Sequence, residues 1–331
     1  MNKKPRILVV GSFMMDLVAS AERAPELGET IIGHSFRTAP GGKGANQAVQ
    51  AARLGARTQM AGCVGDDAFG KEMVAALNAS GVDTRHVKTS NAHPSGVGHI
   101  EIQTGASGVQ NRIIVVPGAN YDLKPADIEW LKFEIPFYDM VIMQLELEME
   151  TIEAVAEIAH KAGVPVMLNP APAAQLSDRL LSCVTFLSPN ETEAALLTGV
   201  KTDAAGRLSD EALKAAAEVL MKKGVPNVII TLGDRGAAIC TAAGVEKVPC
   251  VKMDAVCDPT AAGDSFVGAF CAGYAAGLSI PEAQTFAVHA AAITVCGHGA
   301  IPSLPTLDKV LALMKERGAD KDLIKKLEVL K

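Results

Sequence analysis

Apolar runs and helical patterns alternate along most of this chain. Continuous apolar or β-branched runs, typical of buried strands, cover residues 7–10, 58–63, 140–143, 164–168, 184–187 and 228–232. Between several of these runs, apolar residues recur at helical spacing over residues 45–54, 152–162 and 210–222. Because buried strands that alternate with helices form parallel sheets covered on both faces, the pattern predicts an α/β fold with a mainly parallel central sheet.

Two segments break this alternation. Residues 17–38 and 95–116 have an extended pattern without an intervening helix, and the second segment contains two turn markers, Gly105 and Gly108. Such segments are typical of a small antiparallel sheet packed beside the main domain. We therefore expect a single domain over residues 1–331, with a lid formed by 17–38 and 95–116.

Polar residues and glycines follow several of the predicted strands directly. They occupy residues 11–16, 144–146, 188–193 and 233–236. Ligands of open α/β sheets bind at the carboxyl ends of the strands. We therefore expect these four segments to contribute to one binding site.

The segment 258–264 has the sequence Asp-Pro-Thr-Ala-Ala-Gly-Asp and precedes an apolar, Gly- and Ala-rich run at 266–278, which is typical of a buried helix. Free backbone N–H groups at a helix start bind anions, and small residues let a phosphate approach them. A carboxylate there can accept the proton of a hydroxyl that attacks a phosphoryl group. Asp264 is therefore a candidate general base; the alternative is that it only caps the helix.

A second glycine-rich turn, Gly-Gly-Lys-Gly-Ala-Asn at 41–46, precedes a predicted helix and places Lys43 and Asn46 near the helix start. It is not a P-loop, because Gly44 follows the lysine where a P-loop has Ser or Thr. Taken alone, the turn favours a flexible connection capped by polar residues; paired with the segment 258–264, it no longer does.

The composition is that of a globular protein with a large core: 49% of the 331 residues are hydrophobic and 21% are charged. A net charge of −6 argues against nucleic-acid binding. The seven cysteines are scattered without a Cys-x-x-Cys pair, which favours reduced thiols and leaves zinc without clustered ligands. The apolar run at 7–10 is too short for a signal peptide, and the run at 266–280 is too short to span a membrane. We expect a cytoplasmic protein.

The two glycine-rich segments together resemble the ribokinase-like family of carbohydrate kinases, also called the phosphofructokinase B family, and are closest to its ribokinase branch. Family motifs follow one another in the family's order at Gly11-Ser12 with Asp16, 41–48, 143–146, 169–172, 189–193, 231–236, 258–264, and Gly299-Ala300 with Pro302-Ser303. The resemblance covers nearly the whole chain. It implies the family's three-layer α/β/α sandwich with a small β-sheet lid.

The resemblance assigns the catalytic roles. Asp264 matches the base that receives the proton of the attacking sugar hydroxyl. Ala261, Ala262 and Gly263 match the anion hole, whose backbone N–H groups would stabilise charge on the transferred phosphoryl group.

The resemblance also implies where ATP and Mg²⁺ bind. Asn190 and Glu193 match the motif that organises the phosphates and Mg²⁺, although the same spacing fits a helix capping box. The positions that match the loop beneath the nucleotide, together with the shared glycine of the anion hole, are Thr231, Gly233, Arg235, Gly236 and Gly263. That loop has the alternative interpretation of a simple strand-to-strand turn.

A monovalent cation site is implied beside the anion hole. Its matching oxygen ligands come from Asp258, Thr260, Thr294, Gly297, Gly299 and Ser303. Oxygen ligands without clustered charge suit K⁺ rather than a transition metal. Such an ion would stiffen the loop that forms the anion hole.

On the sugar side, the family's substrate-binding positions match Asp16, Gly42, Lys43, Asn46 and Glu146, together with Asp264. Carboxylates and amides in a partly dry cleft suit the vicinal hydroxyls of a polyol. The alternatives are a solvated loop carboxylate for Asp16 and a helix N-terminal charge for Glu146.

The chain departs from the family pattern at three places. Met14 stands where the ribokinase branch usually has Asn, so one expected sugar contact is missing. A substrate that lacks that hydroxyl, or a different epimer or ring form, is compatible with this change. Pro259 replaces a frequent Thr, and either Val288 or His289 would face the adenine.

The resemblance thus implies an ATP-dependent kinase that phosphorylates a terminal hydroxyl of a pentose, with ribose (giving ribose 5-phosphate) as the first candidate. Alternatives are the same chemistry on another pentose, a ketohexose or a nucleoside, or a non-catalytic sugar-binding regulator on a kinase scaffold. We expect a homodimer formed through the lid, with no nucleic-acid or membrane partner.

Overall fold

The computed structural model describes residues 4–104 and 110–331. Its strands are β1 (Arg6–Val10), β2 (Met14–Ala21), β3 (Ser35–Gly41), β4 (Arg57–Gly65), β5 (Asp83–Ser90), β6 (Val97–Gln103), β7 (Gln110–Val116), β8 (Met140–Met143), β9 (Val166–Leu168), β10 (Phe186–Leu187), β11 (Asn227–Thr231), β12 (Ala237–Thr241) and β13 (Gly244–Val248). They form a nine-stranded sheet in the order β13-β12-β11-β10-β9-β8-β1-β4-β5 and a four-stranded sheet in the order β3-β2-β6-β7.

The large sheet is parallel from β5 to β11, and only the hairpin β12–β13 runs antiparallel at its other edge. All six strands expected from apolar runs are present. The sequence pattern missed β5, β12 and β13. The first and last are edge strands, which carry polar, partly exposed residues instead of a continuous apolar run.

The helices are α1 (Lys43–Arg53), α2 (Ala68–Ala79), α3 (Leu131–Glu134), α4 (Met149–Lys161), α5 (Asp178–Cys183), α6 (Glu191–Thr198), α7 (Asp210–Lys222), α8 (Ala262–Ala275), α9 (Ile280–Thr294), α10 (Leu307–Glu316) and α11 (Lys321–Lys326). The three helices predicted from periodicity are present, and α7 has the predicted bounds because the Ser209 side chain caps its first turn. Within residues 4–104 and 110–331, none of the helices is long and apolar enough to cross a membrane.

Two hydrophobic cores lie on opposite faces of the large sheet. In β1, Ile7 and Val9 point into the core that contains α1, α8 and α9, whereas Leu8 and Val10 point into the core that contains α4 and α7. Successive side chains of a strand face opposite sides, so a strand buried on both faces must be apolar throughout. This arrangement is the three-layer α/β/α sandwich that the sequence predicts.

The four-stranded sheet, hereafter the small sheet, is built from two separate chain segments. Its outer pairs, β2–β3 and β6–β7, are antiparallel, and its central pair, β2–β6, is parallel. β2 and β6 run parallel because both chain segments leave the large sheet in the same direction. The predicted turn at Gly105 and Gly108 lies outside the described residues.

Candidate active site

Two cavities meet beside the carboxyl ends of the large sheet's strands. A cavity of about 220 Å³ is lined by polar residues that follow β9, β10 and β11 and by the start of α8. A second cavity of about 660 Å³ lies between the start of α1, the segment 257–261 and the small sheet. Lys43, Ala261 and Asp264 line both cavities, so they lie where a group could pass from one cavity to the other.

Asp264 is buried in the first turn of α8 and contacts α1. Its two carboxylate oxygens accept hydrogen bonds from the side-chain amides of Asn46 and Gln47, each at 2.9 Å. The N-terminal cap of α8 is Ala261, which makes no side-chain capping bond. Asp264 is therefore not a helix cap, and the two amides fix the direction in which its carboxylate faces the cavities.

The charge of Asp264 is balanced by its surroundings. Burial raises the pKa of Asp264, while the ammonium group of Lys43 and the amides of Asn46 and Gln47 oppose that rise. Burial lowers the pKa of Lys43, but nearby carboxylates outweigh burial and raise it. These carboxylates belong to Asp264, Glu146 and Glu193. Lys43 is thus held as a cation between the two cavities.

The turn before α8 has a strained backbone. Ala261 has φ 60°, the left-handed region that side chains other than glycine seldom adopt. The first N–H groups of a helix lack partners within the helix. Among the described residues, no atom lies within 4 Å of a Cβ added at Gly263, so open space lies beside its backbone. Of the three residues of the predicted anion hole, Ala261 and Gly263 line the smaller cavity, whereas the N–H of Ala262 donates to the Pro259 carbonyl at 3.2 Å.

Glu146 is half-buried and contacts the start of α1. It accepts a hydrogen bond from the Ser12 hydroxyl and one of 3.1 Å from the backbone N–H of Lys43, the first residue of α1. Burial raises the pKa of Glu146, and Lys43 and Ser12 counteract this effect. The Glu146 carboxylate thus lies at the start of α1 and not at the start of α4, the next helix along the chain.

Asp16 lies in β2 and lines the larger cavity. Burial, reinforced by the charge of Glu146, raises the pKa of Asp16 to about 6, although Arg37 opposes the shift. Asp16 is therefore a partly buried strand residue with a perturbed carboxylate, not a solvated loop residue. Perturbed carboxylates in clefts are typical of functional sites.

For the sugar substrate that the sequence predicts, we expect kcat/KM to fall as the pH drops below about 6. Asp16 must be ionised to accept hydrogen bonds from two hydroxyls, and its raised pKa means that protonation begins at a higher pH than for an ordinary aspartate. A single essential carboxylate lowers the rate about tenfold per pH unit below its pKa. The Asp16→Asn variant is the control, because its residual kcat/KM should no longer fall at low pH. If the fall remained unchanged in this variant, it would belong to another carboxyl group.

Asn46 has a second atom available for a ligand. Its Nδ2 donates to Asp264, but its buried Oδ1 has no hydrogen-bond partner among the described residues. Buried polar atoms are rarely left unpaired, so this oxygen is suited to a substrate hydroxyl.

Gly42 precedes α1 with φ 98°, and a Cβ there would lie 2.7 Å from the backbone nitrogen of Met14. Glycine is therefore required for the close approach of these two segments.

Asn190 and Glu193 form a capping box at the start of α6. Each side chain accepts a 2.8 Å hydrogen bond from the backbone N–H of the other residue. The structural interpretation of this spacing is therefore realised, and both residues also line the smaller cavity. The buried Ser188 hydroxyl, which lines the same cavity, has no partner in the described part of the chain.

The predicted nucleotide loop joins β11 to β12. Thr231 lines the smaller cavity, while Gly233 and Gly236 have positive φ and shape the turn beyond it. The Arg235 guanidinium is paired with Glu191 and also donates to the Leu208 carbonyl at 3.2 Å. The loop is thus a strand-to-strand turn whose arginine braces neighbouring segments.

The predicted cation ligands lie in two segments that Asp258 joins. Its carboxylate accepts 2.9 Å hydrogen bonds from the backbone N–H groups of Thr260 and Gly299. Burial would raise the pKa of Asp258, but these bonds outweigh burial and lower it. Gly297 packs so closely on Ser303 that a Cβ at Gly297 would lie 2.7 Å from the Ser303 Cβ. The two segments that carry the predicted ligands are therefore held against each other by Asp258.

Met14 lines the larger cavity and is almost fully buried. Its side chain offers no strong hydrogen-bonding group to a ligand. Val288 and His289, the two candidates for adenine contact, are both buried in α9. The Nδ1 atom of His289 lies 2.7 Å from the Thr285 carbonyl oxygen, the pattern of a packed helix histidine.

Several residues at the site received no role from the sequence. Gln47 holds Asp264, Ser12 holds Glu146, and Asn169 bonds Gln47 at 3.2 Å. Ser12, Gln47 and Asn169 lie within motifs that the sequence singled out, but their partners are distant in sequence. Arg37, on β3, also lines the larger cavity, and no motif marks it.

A buried carboxylate at a helix start, held by two amides between two cavities, is the arrangement expected of a phosphotransferase that acts on a hydroxyl group. Residues 4–307 match the family model described as pfkB family carbohydrate kinase. The ribokinase of Schizosaccharomyces pombe is 42% identical over 92% of this chain and 96% of its own length. The deoxyribokinase of Salmonella typhi is 36% identical over the same shares.

The solved structures agree with this assignment. Arabidopsis thaliana ribokinase, determined with ribose and ATP, has a TM-score of 0.87 and 35% identity, covering 94% of this chain and 99% of that chain. The chain belongs to the pfkB family of carbohydrate kinases. It is an ATP-dependent sugar kinase, as the sequence resemblance implies.

Proposed function

We propose that this kinase transfers the γ-phosphoryl group of ATP to the terminal hydroxyl of ribose, giving ribose 5-phosphate. The observation that carries this proposal is Asp264, whose buried carboxylate is oriented by two amides at the junction of the two cavities. The ribokinases to which the chain is similar, and the ribose and ATP bound to one of them, favour ribose as the acceptor.

In the proposed reaction, the sugar occupies the larger cavity and the phosphates of ATP occupy the smaller one. Asp264 accepts the proton of the terminal hydroxyl as its oxygen bonds to the γ-phosphorus, and the bond from that phosphorus to the β,γ-bridging oxygen breaks. The N–H groups at the start of α8 stabilise the charge on the transferred group, and Lys43 adds a positive charge between the cavities. Asp16, Asn46 and Glu146 orient the sugar hydroxyls.

2-Deoxyribose is a second candidate acceptor, and Met14 is the observation that favours it. The methionine replaces a side chain that could bond a sugar hydroxyl, and a sugar without one hydroxyl leaves no unmet hydrogen bond there. A similar protein from Salmonella typhi is a deoxyribokinase.

We expect Met14→Asn to raise kcat/KM for ribose relative to 2-deoxyribose. One restored hydrogen bond to a neutral hydroxyl contributes about 0.5–1.5 kcal/mol, or roughly two- to twelvefold. The measurement is kcat/KM for both sugars in parent and variant. If the parent already prefers ribose to every other sugar, or if the substitution leaves the ratio of the two kcat/KM values unchanged, Met14 has only a packing role.

The proposed function is tested by measuring ATP consumption by the purified protein with ribose, 2-deoxyribose, other pentoses, ketohexoses and nucleosides. Turnover confined to pentoses, and to their terminal hydroxyl by product analysis, would support it. Best turnover with a hexose or nucleoside would retain the chemistry and replace the substrate. Sugar binding without any ATP consumption would instead favour the non-catalytic regulator.

Mg²⁺ is proposed to bind with the phosphates of ATP beside Glu193. The residue is suited to this role because it lines the smaller cavity together with Ser188, whose hydroxyl has no partner among the described residues, and oxygen ligands are those that Mg²⁺ prefers. Asn190 holds Glu193 in place through the capping box. When bound, Mg²⁺ would neutralise phosphate charge.

Thr231, Gly233 and Gly236 are proposed to lie beneath the nucleotide, with Arg235 bracing their turn.

K⁺ is proposed to bind at the segments joined by Asp258, and we expect it to activate the enzyme more than Na⁺ or Li⁺. One carboxylate with neutral oxygens, contributed by Thr260, Thr294, Gly297, Gly299 and Ser303, suits a large, weakly hydrated ion. The ion would stiffen the turn that precedes α8. Initial rates in K⁺, Na⁺ and Li⁺ chlorides at constant ionic strength test this, and equal rates would refute it.

The small sheet is proposed to act as a lid and as the contact surface of a homodimer. Its apolar residues remain exposed in the single chain, with Phe36 67% and Ile114 62% accessible. Apolar patches of this kind mark interaction surfaces. Light scattering of the parent and of Ile114→Asp would test the dimer.

A cytoplasmic location is also proposed, since all seven cysteines are free thiols.

A further inference from the structure

Asn120 lies just after β7, beside the segments that precede β2 and β6, and outside every motif described above. It belongs to the short 3-10 turn Gly118–Asp122 that follows β7, and it is completely buried. A buried amide must use its donors and acceptor within the protein, so its partners show what it holds in place.

The Asn120 side chain is bonded to Phe13, just before β2, and to Pro117, at the start of its own turn. Its Oδ1 accepts a 2.8 Å hydrogen bond from the backbone N–H of Phe13. Its Nδ2 donates to the carbonyl oxygens of Phe13 at 2.7 Å and of Pro117 at 2.8 Å. Both amide hydrogens are therefore used, and Met14 Sδ, 3.8 Å from the same nitrogen, is only a packing contact.

These bonds lie where three segments of the small sheet cross. Phe13 precedes β2, Pro117 follows β7, and Gly96 precedes β6. A Cβ added at Gly96 would lie 2.4 Å from Asn120 Nδ2 and 2.8 Å from Met14 Sδ, so the crossing has no spare room. The amide therefore sets the point at which β2 leaves the large sheet.

The start of β2 carries the sugar-binding carboxylate. Asp16 lies three residues beyond Phe13, and its carboxylate accepts no hydrogen bond from residues 4–104 or 110–331. Its position is therefore set by the backbone of β2 and by contact with Gly98, where a Cβ would lie 2.8 Å from Asp16 Oδ1. Any shift of Phe13 moves Asp16 and Met14 together in the larger cavity.

We propose that Asn120 is a positioning residue for the sugar, acting through Phe13 on Asp16 and Met14; this inference rests on the proposed function of that cavity. Asn120 does not touch the cavity that would hold the phosphates. Loss of its amide should therefore weaken sugar binding selectively and leave ATP binding unchanged. A merely structural role would lower stability without separating the two substrates.

The test compares Asn120→Ser and Asn120→Asp with the parent in steady-state kinetics. Serine is too short to reach both segments, and aspartate lacks the two donors. We expect KM for the sugar to rise about tenfold or more, because small displacements of orienting groups have effects of this size. KM for ATP should stay within about twofold. Tyr138→Phe is the matched control, since it removes the buried side-chain hydrogen bond from Tyr138 to Gln59. Tyr138 lies just before β8, at the end of the large sheet's strands opposite to the two cavities.

An unchanged sugar KM in a folded Asn120 variant that melts earlier, as Tyr138→Phe is expected to, would overturn the inference. If neither Asn120 variant folds, Gly118→Ala decides by the same criterion, because its methyl group would lie 2.4 Å from the Pro94 carbonyl oxygen and must shift the turn that carries Asn120. A parent that turns over no sugar would overturn the proposed function and this inference with it. A parent that is active on sugar while its variants show no KM split would overturn the inference alone.

Discussion

Replacing Asp264 with Asn is expected to lower kcat by about 10²–10⁴ while ATP still binds, because an amide cannot accept the hydroxyl proton. The substitution preserves shape in a buried position. It leaves one of the two amide donors, from Asn46 or Gln47, facing another donor. That mismatch should lower the free energy of unfolding by about 1–3 kcal/mol. The measurements are kcat, the dissociation constant of ATP and the thermal midpoint.

The matched control for this variant is Asp320→Asn. Asp320 is also an aspartate at a helix start, but its side chain is a true cap, accepting a 2.8 Å hydrogen bond from the backbone of Asp322. Asparagine caps a helix as well as aspartate does, so both activity and stability should be retained. If Asp264→Asn also turned over within a few-fold of the parent, Asp264 would lose its proposed role as the base.

Gly263→Pro should lower kcat by about 10²–10³, the usual cost of removing one anion-hole donor. Proline lacks the backbone N–H, and position 263 lies in the first turn of α8, where that N–H has no helical partner to lose. The chain already has Pro281 at the equivalent second position of α9. The helix should therefore form, and the loss should appear in catalysis.

Gly263→Ala separates the lost donor from the added bulk. Both variants add a Cβ at a place where no atom of the described residues lies within 4 Å. Proline also removes the N–H and adds two ring carbons at the nitrogen, so the ratio of the two kcat values gives an upper limit for the contribution of the donor. Equal kcat values for Gly263→Pro and Gly263→Ala would mean that this N–H does not stabilise the transferred phosphoryl group.

The sequence by itself determined the layers of the fold and the candidate site residues along the chain. Strands such as β1 and β11 are buried on both faces and are therefore apolar throughout, and α7 is amphipathic with a serine cap. These are local patterns with a fixed period, so they can be found without tertiary information. Asp264 could likewise be assigned to a helix start, because small residues precede it and an apolar run follows.

The tertiary structure alone decided what each site residue touches. Asn46 and Gln47 bond Asp264 across 218 and 217 residues of chain, and Ser12 bonds Glu146 across 134. Such pairs leave no periodic trace in one sequence. The raised pKa of Asp16, the parallel pairing of β2 with β6 and the partners of Asn120 were hidden for the same reason. Each depends on the path of the backbone through space, which is fixed only when the two sheets pack together.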